Sequence, residues 1–189
     1  MVQEGTGSPE QTLGHLGKDK RSCKMKVILY MAMSADGYIA KPDDDTPWSD
    51  DEWESFSSKV KNAGNIIIGR RTYEIMNDKD EFEKIGDPYV IVISNSLDVS
   101  KCVRSPEDAI RILREKGYDK ALVAGGSRLN ASFLKQGLID EIYLDIEPII
   151  LGKGIRMFDG EMQESKMQLL ETKRLSQDSI QLHYKVVKL

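Results

Sequence analysis

Cysteine is scarce in this chain: Cys23 and Cys102 are the two among 189 residues. Two isolated cysteines make neither a disulfide scaffold nor a metal cluster. Reduced thiols are the rule in the cytoplasm, which is where we expect the protein. Histidine is equally rare, with only His15 and His183. The patterns H-E-x-x-H, C-x-x-C and G-x-S-x-G are missing, so zinc and serine-hydrolase chemistry have no support. Long apolar runs are missing too. The longest, residues 27–33 and 89–93, fall far short of the ~20 residues that cross a bilayer. The first residues, Met1-Val2-Gln3-Glu4-Gly5-Thr6-Gly7, are polar and lack a signal-peptide pattern. There is no basic excess. Lys and Arg number 27 against 31 Asp and Glu, a net charge of −4, which argues against a general nucleic-acid binder.

What remains is an ordinary globular mixture, 40% hydrophobic and 31% charged. At ~150 residues per domain the chain makes one domain with a sizeable core. Residues 1–24 scatter Gly, Lys and Glu without period and read as a flexible leader. The patterned domain is 25–189. From Met25 onward strand and helix signals alternate. Residues 26–33 form a near-continuous apolar run, as a strand buried on both faces requires. Ser49-Asp50-Asp51-Glu52 is a capping box, and Trp53, Phe56 and Val60 follow at helical spacing. Strands are expected at 65–68, 89–93, 120–124 and 139–147. Helices are expected near 72–76, from Pro106 to Gly117, and after Gly125-Gly126. Two antiparallel strands, 168–176 and 179–188, close the chain. In the last, His183 falls out of phase with Leu182 and Tyr184, as a surface residue does. The expected fold class is α/β: three layers, with a mixed, mostly parallel central sheet and antiparallel C-terminal strands.

In such folds ligands bind beyond the carboxyl ends of strands, at helix N-termini. Three strand ends carry suitable residues. In Ile68-Gly69-Arg70-Arg71-Thr72 a strand ends in Gly, and two forked guanidinium groups stand at a helix start, a donor set suited to a phosphate monoester. Read alone, the same stretch also serves as a plain turn with a solvated Arg pair. In Gly125-Gly126-Ser127-Arg128-Leu129 paired glycines permit close backbone approach to a pyrophosphate, or simply a tight turn. Ser94 and Asn95 end a third strand, as sugar contacts or as turn residues. Carboxylates crowd 43–54. Most are solvated charges favoured by the helix dipole. Asp51 and Glu52, beside Trp53, are the best placed to donate a proton, and the pattern does not choose between them. Asp36, before Gly37, reads as a turn residue.

Two longer stretches carry a resemblance. One runs from Gly125-Gly126-Ser127 through Gly137-Leu138-Ile139-Asp140-Glu141 to Pro148-Ile149-Ile150-Leu151-Gly152-Lys153-Gly154-Ile155-Arg156-Met157-Phe158. The other is Met31-Ala32-Met33-Ser34-Ala35-Asp36-Gly37-Tyr38-Ile39-Ala40. Together with Gly69-Arg70-Arg71-Thr72-Tyr73-Glu74 they resemble the dihydrofolate reductase-like superfamily. The nearer branch is the C-terminal reductase domain of the bifunctional riboflavin-biosynthesis deaminase-reductase. The resemblance implies NADPH as hydride donor. It implies Ala32 and Ile39 beside the nicotinamide, and Gly69, Arg70, Arg71 and Thr72 around the 2′-phosphate. It further implies Ser94 and Asn95 along the adenosine, and Gly125, Gly126, Ser127, Arg128 and Leu129 at the diphosphate, with a cis Gly125–Gly126 peptide. Asp36 and Trp48 fall on the substrate side. A homodimer through residues 148–158 and the terminal strands is implied as well. Two departures bear on the substrate. Tyr38 stands where the riboflavin branch carries a basic residue, and the acidic stretch 43–52 repels a ribose phosphate. The implied reaction is reduction of 5-amino-6-(5-phosphoribosylamino)uracil. Pterin reduction of the dihydrofolate type, or a non-catalytic NADPH-binding scaffold, are the alternatives.

Overall fold

The computed structural model describes Met1, residues 25–96 and residues 102–188. The expected leader, with His15 and Cys23, lies outside the described residues except for Met1. The elements follow in the order β1 (Lys26–Ser34), β2 (Tyr38–Ala40), α1 (Asp50–Ala63), β3 (Asn65–Gly69), α2 (Arg70–Asp78), α3 (Glu81–Lys84), β4 (Tyr89–Ile93) and β5 (Cys102–Val103). Then come α4 (Pro106–Glu115), β6 (Lys120–Val123), α5 (Ser127–Lys135), β7 (Glu141–Glu147), β8 (Ile155–Arg156), β9 (Lys166–Arg174) and β10 (Ile180–Val187).

Side chains that alternate along the strands build two cores. Leu29, Ile67, Ile91 and Val123 pack with Ala109 and Leu113 of α4 and Phe133 of α5. Ile66, Ile68, Val92 and Leu122 pack on the other face with Val60 and Ala63 of α1 and Met76 of α2. Burial on both faces removes the polar phase, which is why Ile66, Ile67 and Ile68 are consecutive. The result is the expected three-layer α/β fold. Its eight-stranded sheet has the order β5-β4-β3-β6-β1-β7-β10-β9. Neighbours from β5 to β7 are parallel, and β10 runs antiparallel to both β7 and β9. Three features were not expected from the pattern. They are the short helix α3, the two-residue edge strand β5, and a separate two-stranded sheet of β2 and β8. All are too short for periodicity to register.

The caps of the four longer helices fall into two kinds. The α1 cap, Ser49, accepts from the Glu52 N–H at 3.2 Å, and the α4 cap, Ser105, accepts from the Asp108 N–H at 3.1 Å. Both of these helices carry acids in their first turn. Helices α2 and α5 start at Gly69 and Gly126, with no side-chain cap and no acid in the first turn.

Candidate functional site

The two uncapped, acid-free helix starts, of α2 and α5, meet. The Gly69 N–H donates to the Gly125 carbonyl at 2.8 Å. A Cβ on Gly69 would lie 3.6 Å from the Gly126 nitrogen, and one on Gly126 would lie 3.8 Å from Thr72 Oγ1. The two turns thus lie within van der Waals reach of each other. Gly125 has φ +89°, a region that L side chains rarely adopt, and the peptide to Gly126 is cis. The sheet order accounts for the meeting, because β3 and β6 are adjacent and both end at this edge. Free N–H groups of two helices therefore point into one region, and no acid of either first turn opposes an anion there. Arg70 and Arg71 extend from the same turn, each more than half exposed. Arg71 forms an ion pair with Asp44, and Arg70 lies 3.9 Å from Glu74. This donor set fits a phosphate-bearing dinucleotide.

The other expected cofactor residues are distributed around this region. Gly69 pairs with Ile93, so Ser94 begins beside it. Asn95 is exposed. Ser127 accepts from the Asp159 N–H at 3.3 Å. Arg128 turns outward to Asp159 at 3.1 Å, and Leu129 enters the core. Ala32 lies on β1, just past Met31, whose sulfur would sit 3.5 Å from a Cβ on Gly125. Ile39, on β2, is buried.

The substrate-side residues separate. Asp36 uses both carboxylate oxygens to hold the loop after β7. Oδ1 accepts from the Leu151 N–H at 3.1 Å and the Ser34 hydroxyl at 2.7 Å, and Oδ2 accepts from the Gly152 N–H at 2.7 Å. The Ser34 hydroxyl first, then these two amides, hold its carboxyl below the usual range. Trp48 is partly buried, with its N–H bonded to Thr46. Asp51 is exposed and Glu52 is buried at 6%. The capping box forms only by half. Ser49 caps Glu52, but the Ser49 N–H is taken by Glu147 Oε2 at 2.9 Å, and the Ser49 hydroxyl reaches Glu147 Oε1 at 3.1 Å. The Glu52 side chain turns inward instead. Tyr30 Oη lies 3.1 Å from Glu52 Oε1 and 2.5 Å from Asp145 Oδ2. Gln181 Nε2 donates to Asp145 Oδ1 at 2.6 Å and to Ser55 at 3.0 Å.

This cluster concentrates unusual electrostatics. Burial, then the nearby Asp145 charge, pushes the Glu52 carboxyl up to about 8. Burial also raises Asp145, against hydrogen bonds from Tyr30 and Gln181 that favour its charged form. The Tyr30 hydroxyl is pushed far above its ordinary value, by burial first and by the two acids next. Glu52 is thus a carboxyl that keeps its proton at neutral pH, next to the Ala32 strand.

Tyr30, Asp145, Glu147 and Gln181 went unnoticed as site residues in the sequence. A signal existed for them. In β7, Tyr143, Asp145 and Glu147 share one face, and Ile180 is 37% exposed while Gln181 is 5% exposed. Polar residues on the buried phase of a strand mark a site, but only once the buried phase is known. His183 likewise is not a free surface residue. It stacks on Tyr143 at 3.9 Å between ring centroids, with Nε2 3.0 Å from Glu141.

Comparison with known proteins places this geometry. The model of the RibD C-terminal domain family matches residues 25–181. The uncharacterized protein YwjB of Bacillus subtilis is 33% identical over 172 residues, which cover 84% of this chain and 97% of that protein. A Shewanella sp. PV-4 protein provisionally assigned to riboflavin biosynthesis superimposes with a TM-score of 0.69 at 25% identity, covering 87% of this chain and all of that one. The Thermotoga maritima diaminohydroxyphosphoribosylaminopyrimidine deaminase/5-amino-6-(5-phosphoribosylamino)uracil reductase shares the fold at a TM-score of 0.70 and 20% identity. The match covers 87% of this chain and 57% of that bifunctional protein. Among the described residues no helix is long and apolar enough to cross a membrane.

Proposed function

This chain belongs to the RibD C-terminal domain family, and on that premise we propose that it is a cytoplasmic, NADPH-dependent reductase of the riboflavin-pathway type. The substrate we assign is 5-amino-6-(5-phosphoribosylamino)uracil or a closely related amino-substituted heterocycle. One observation carries the reading: two uncapped, acid-free helix starts joined by the Gly69–Gly125 hydrogen bond, with Arg70 and Arg71 beside them. When bound, NADPH supplies the hydride. Gly125, Gly126, Ser127, Arg128 and Leu129 form the turn that receives the diphosphate. Gly69, Arg70, Arg71 and Thr72 receive the additional phosphate, and Ser94 and Asn95 border the adenosine. Ala32 and Ile39 wall the nicotinamide, and Trp48 borders the substrate. Asp36 shapes that wall through Leu151 and Gly152. Glu52 donates the proton, a role its exposed neighbour Asp51 is less suited to.

A second reading, reduction of a pterin, is favoured by the buried Glu52 at the start of α1, where a neutral carboxyl suits a heterocycle better than a sugar phosphate. Turnover decides between the two. NADPH oxidation is followed with a panel of ribosylaminopyrimidines and pterins. Oxidation with one class assigns the substrate, and binding without turnover on any of them overturns the enzymatic reading. Trp48 and Trp53 fluorescence compares NADPH with NADH, and equal weak binding of both counts against the arginine roles.

The homodimer belongs to the same proposal. Met167, Leu169, Leu170, Ile180 and Val187 are exposed on β9 and β10, and Ile150 is 78% exposed in the 148–158 segment. Apolar edge strands of this kind are usually covered. A monomeric mass at micromolar concentration overturns the dimer.

A further inference from the structure

Tyr30 has one hydroxyl proton and two carboxyl neighbours. Its oxygen is 2.5 Å from Asp145 and 3.1 Å from Glu52. It donates to one and must accept from the other or leave that contact repulsive. Asp145 is the nearer acceptor. It is fully buried, and Gln181 holds its second oxygen at 2.6 Å, so its charge is well supported. The Tyr30 oxygen is then left to accept from Glu52.

Resting on the reductase reading above, we propose that Tyr30 and Asp145 are positioning residues for Glu52. Asp145 accepts the Tyr30 hydroxyl hydrogen bond, and the phenolic oxygen in turn fixes Glu52 in its protonated, hydrogen-donating form. The chain runs Glu52 to Tyr30 to Asp145, with one negative charge at its inner end. In the reaction, one hydride and one proton enter a C=N or C=O bond. On delivery Glu52 gives up its hydrogen bond to Tyr30 together with its proton, becomes a carboxylate and is recharged from solvent. An ionised Glu52 faces the Asp145 charge across a phenol that cannot serve both, so return of the proton is favoured.

Groups facing the chain come from every element packed on it. From α1 come Ser55 and Lys59, whose amine sits 3.4 Å over the Tyr143 ring. From β7 comes Glu147, occupied by Ser49, and from β10 comes Gln181. Burial holds the partly buried Lys59 amine below its ordinary value, against the Asp145 charge, with Lys173, Glu171 and Glu141 acting on it less. Lys59 is the one cation in this set whose charge opposes the two acids.

The test reads the proton directly, in the full chain without cofactor. Glutamate and aspartate carboxyl carbons are labelled with carbon-13 and titrated by NMR, and the Glu52 signal is identified by its loss in Glu52→Gln. The expected result is a Glu52 midpoint near 8, lowered by about one pH unit or more in Asp145→Asn. Glu147→Gln lowers it by less, because Glu147 bonds Ser49 and not Tyr30. Tyr30→Phe covers the case in which Asp145→Asn does not fold. There Glu52 loses the oxygen that accepts its proton, and its midpoint falls. A folded protein whose Glu52 titrates in the ordinary carboxyl range overturns the proposal, as does a midpoint that neither Asp145→Asn nor Tyr30→Phe moves. A raised and movable midpoint without turnover on any substrate overturns the reductase reading and leaves the proton chain standing. Turnover with an ordinary Glu52 midpoint does the reverse.

Discussion

Replacing Glu52 with glutamine is expected to stabilise the fold, increasingly so as the pH rises from 5 to 8. In the folded chain the Glu52 carboxyl titrates near 8, against 4.5 without the fold. Folding therefore takes up a proton across this window. The sign follows from linkage. A carboxyl whose folded midpoint is raised leaves stability intact below the unfolded value and erodes it as pH climbs toward the folded one. At about 1.4 kcal/mol per pH unit, the interval corresponds to about 5 kcal/mol at pH 8 and above. Local relaxation and water entry reduce this, and about 2 to 4 kcal/mol is a reasonable expectation. Glutamine is neutral and nearly isosteric, and it keeps a donor toward Tyr30 while leaving Asp145 its charge. Urea unfolding at half-unit pH steps, for wild type and Glu52→Gln, measures the difference. The curves should separate with rising pH and run parallel above about 8. Curves that stay parallel throughout refute the assignment of a held proton to Glu52. A residue that costs this much stability at working pH is what a functional role at Glu52 predicts.

Four further outcomes follow from particular contacts. Arg71→Ala should weaken NADPH binding by about 10- to 100-fold, the value of one or two charge-assisted hydrogen bonds, and leave NADH unchanged. Asp44→Asn, which frees Arg71 from its ion pair, should tighten NADPH in the same fluorescence titration. Gly154→Ala places a Cβ 2.3 Å from the Ala40 carbonyl and 3.1 Å from the Tyr38 Cβ. It should lower the unfolding free energy by about 3 kcal/mol through overpacking between β2 and its neighbouring loop, measurable in urea. Asp36→Asn should speed hydrogen exchange at the Leu151 and Gly152 amides, because it weakens both acceptors. In the wild type the same loosening should appear only at acid pH, as the lowered Asp36 midpoint is passed.

The half of the site proposed to receive the phosphates is local in the sequence. Gly69, Arg70, Arg71 and Thr72 are contiguous, as are the residues from Gly125 to Leu129, and each motif sits where a strand hands over to a helix. Only their meeting required topology, namely β3 lying beside β6. The proton-holding half is the opposite case. Tyr30 and Asp145 are 115 residues apart, and Asp145 and Gln181 are 36 apart. Their shared face exists because β7 lies between β1 and β10, with Ala32 opposite Asp145 and Asp145 opposite Gln181. Tyr30 was further hidden inside an apolar run, where an aromatic reads as core.

The choice between Asp51 and Glu52 turns on the same point. A capping box assigns the Glu52 carboxyl to the Ser49 N–H, which would hold it at the helix end. In the fold that N–H is claimed by Glu147, 98 residues away. The glutamate that looked like a cap is thereby released to the interior, and the residue that performs its capping task is one no local pattern names. Exposure then separates the pair: Asp51 stays in solvent, and Glu52 is buried where the charged form is the costly one.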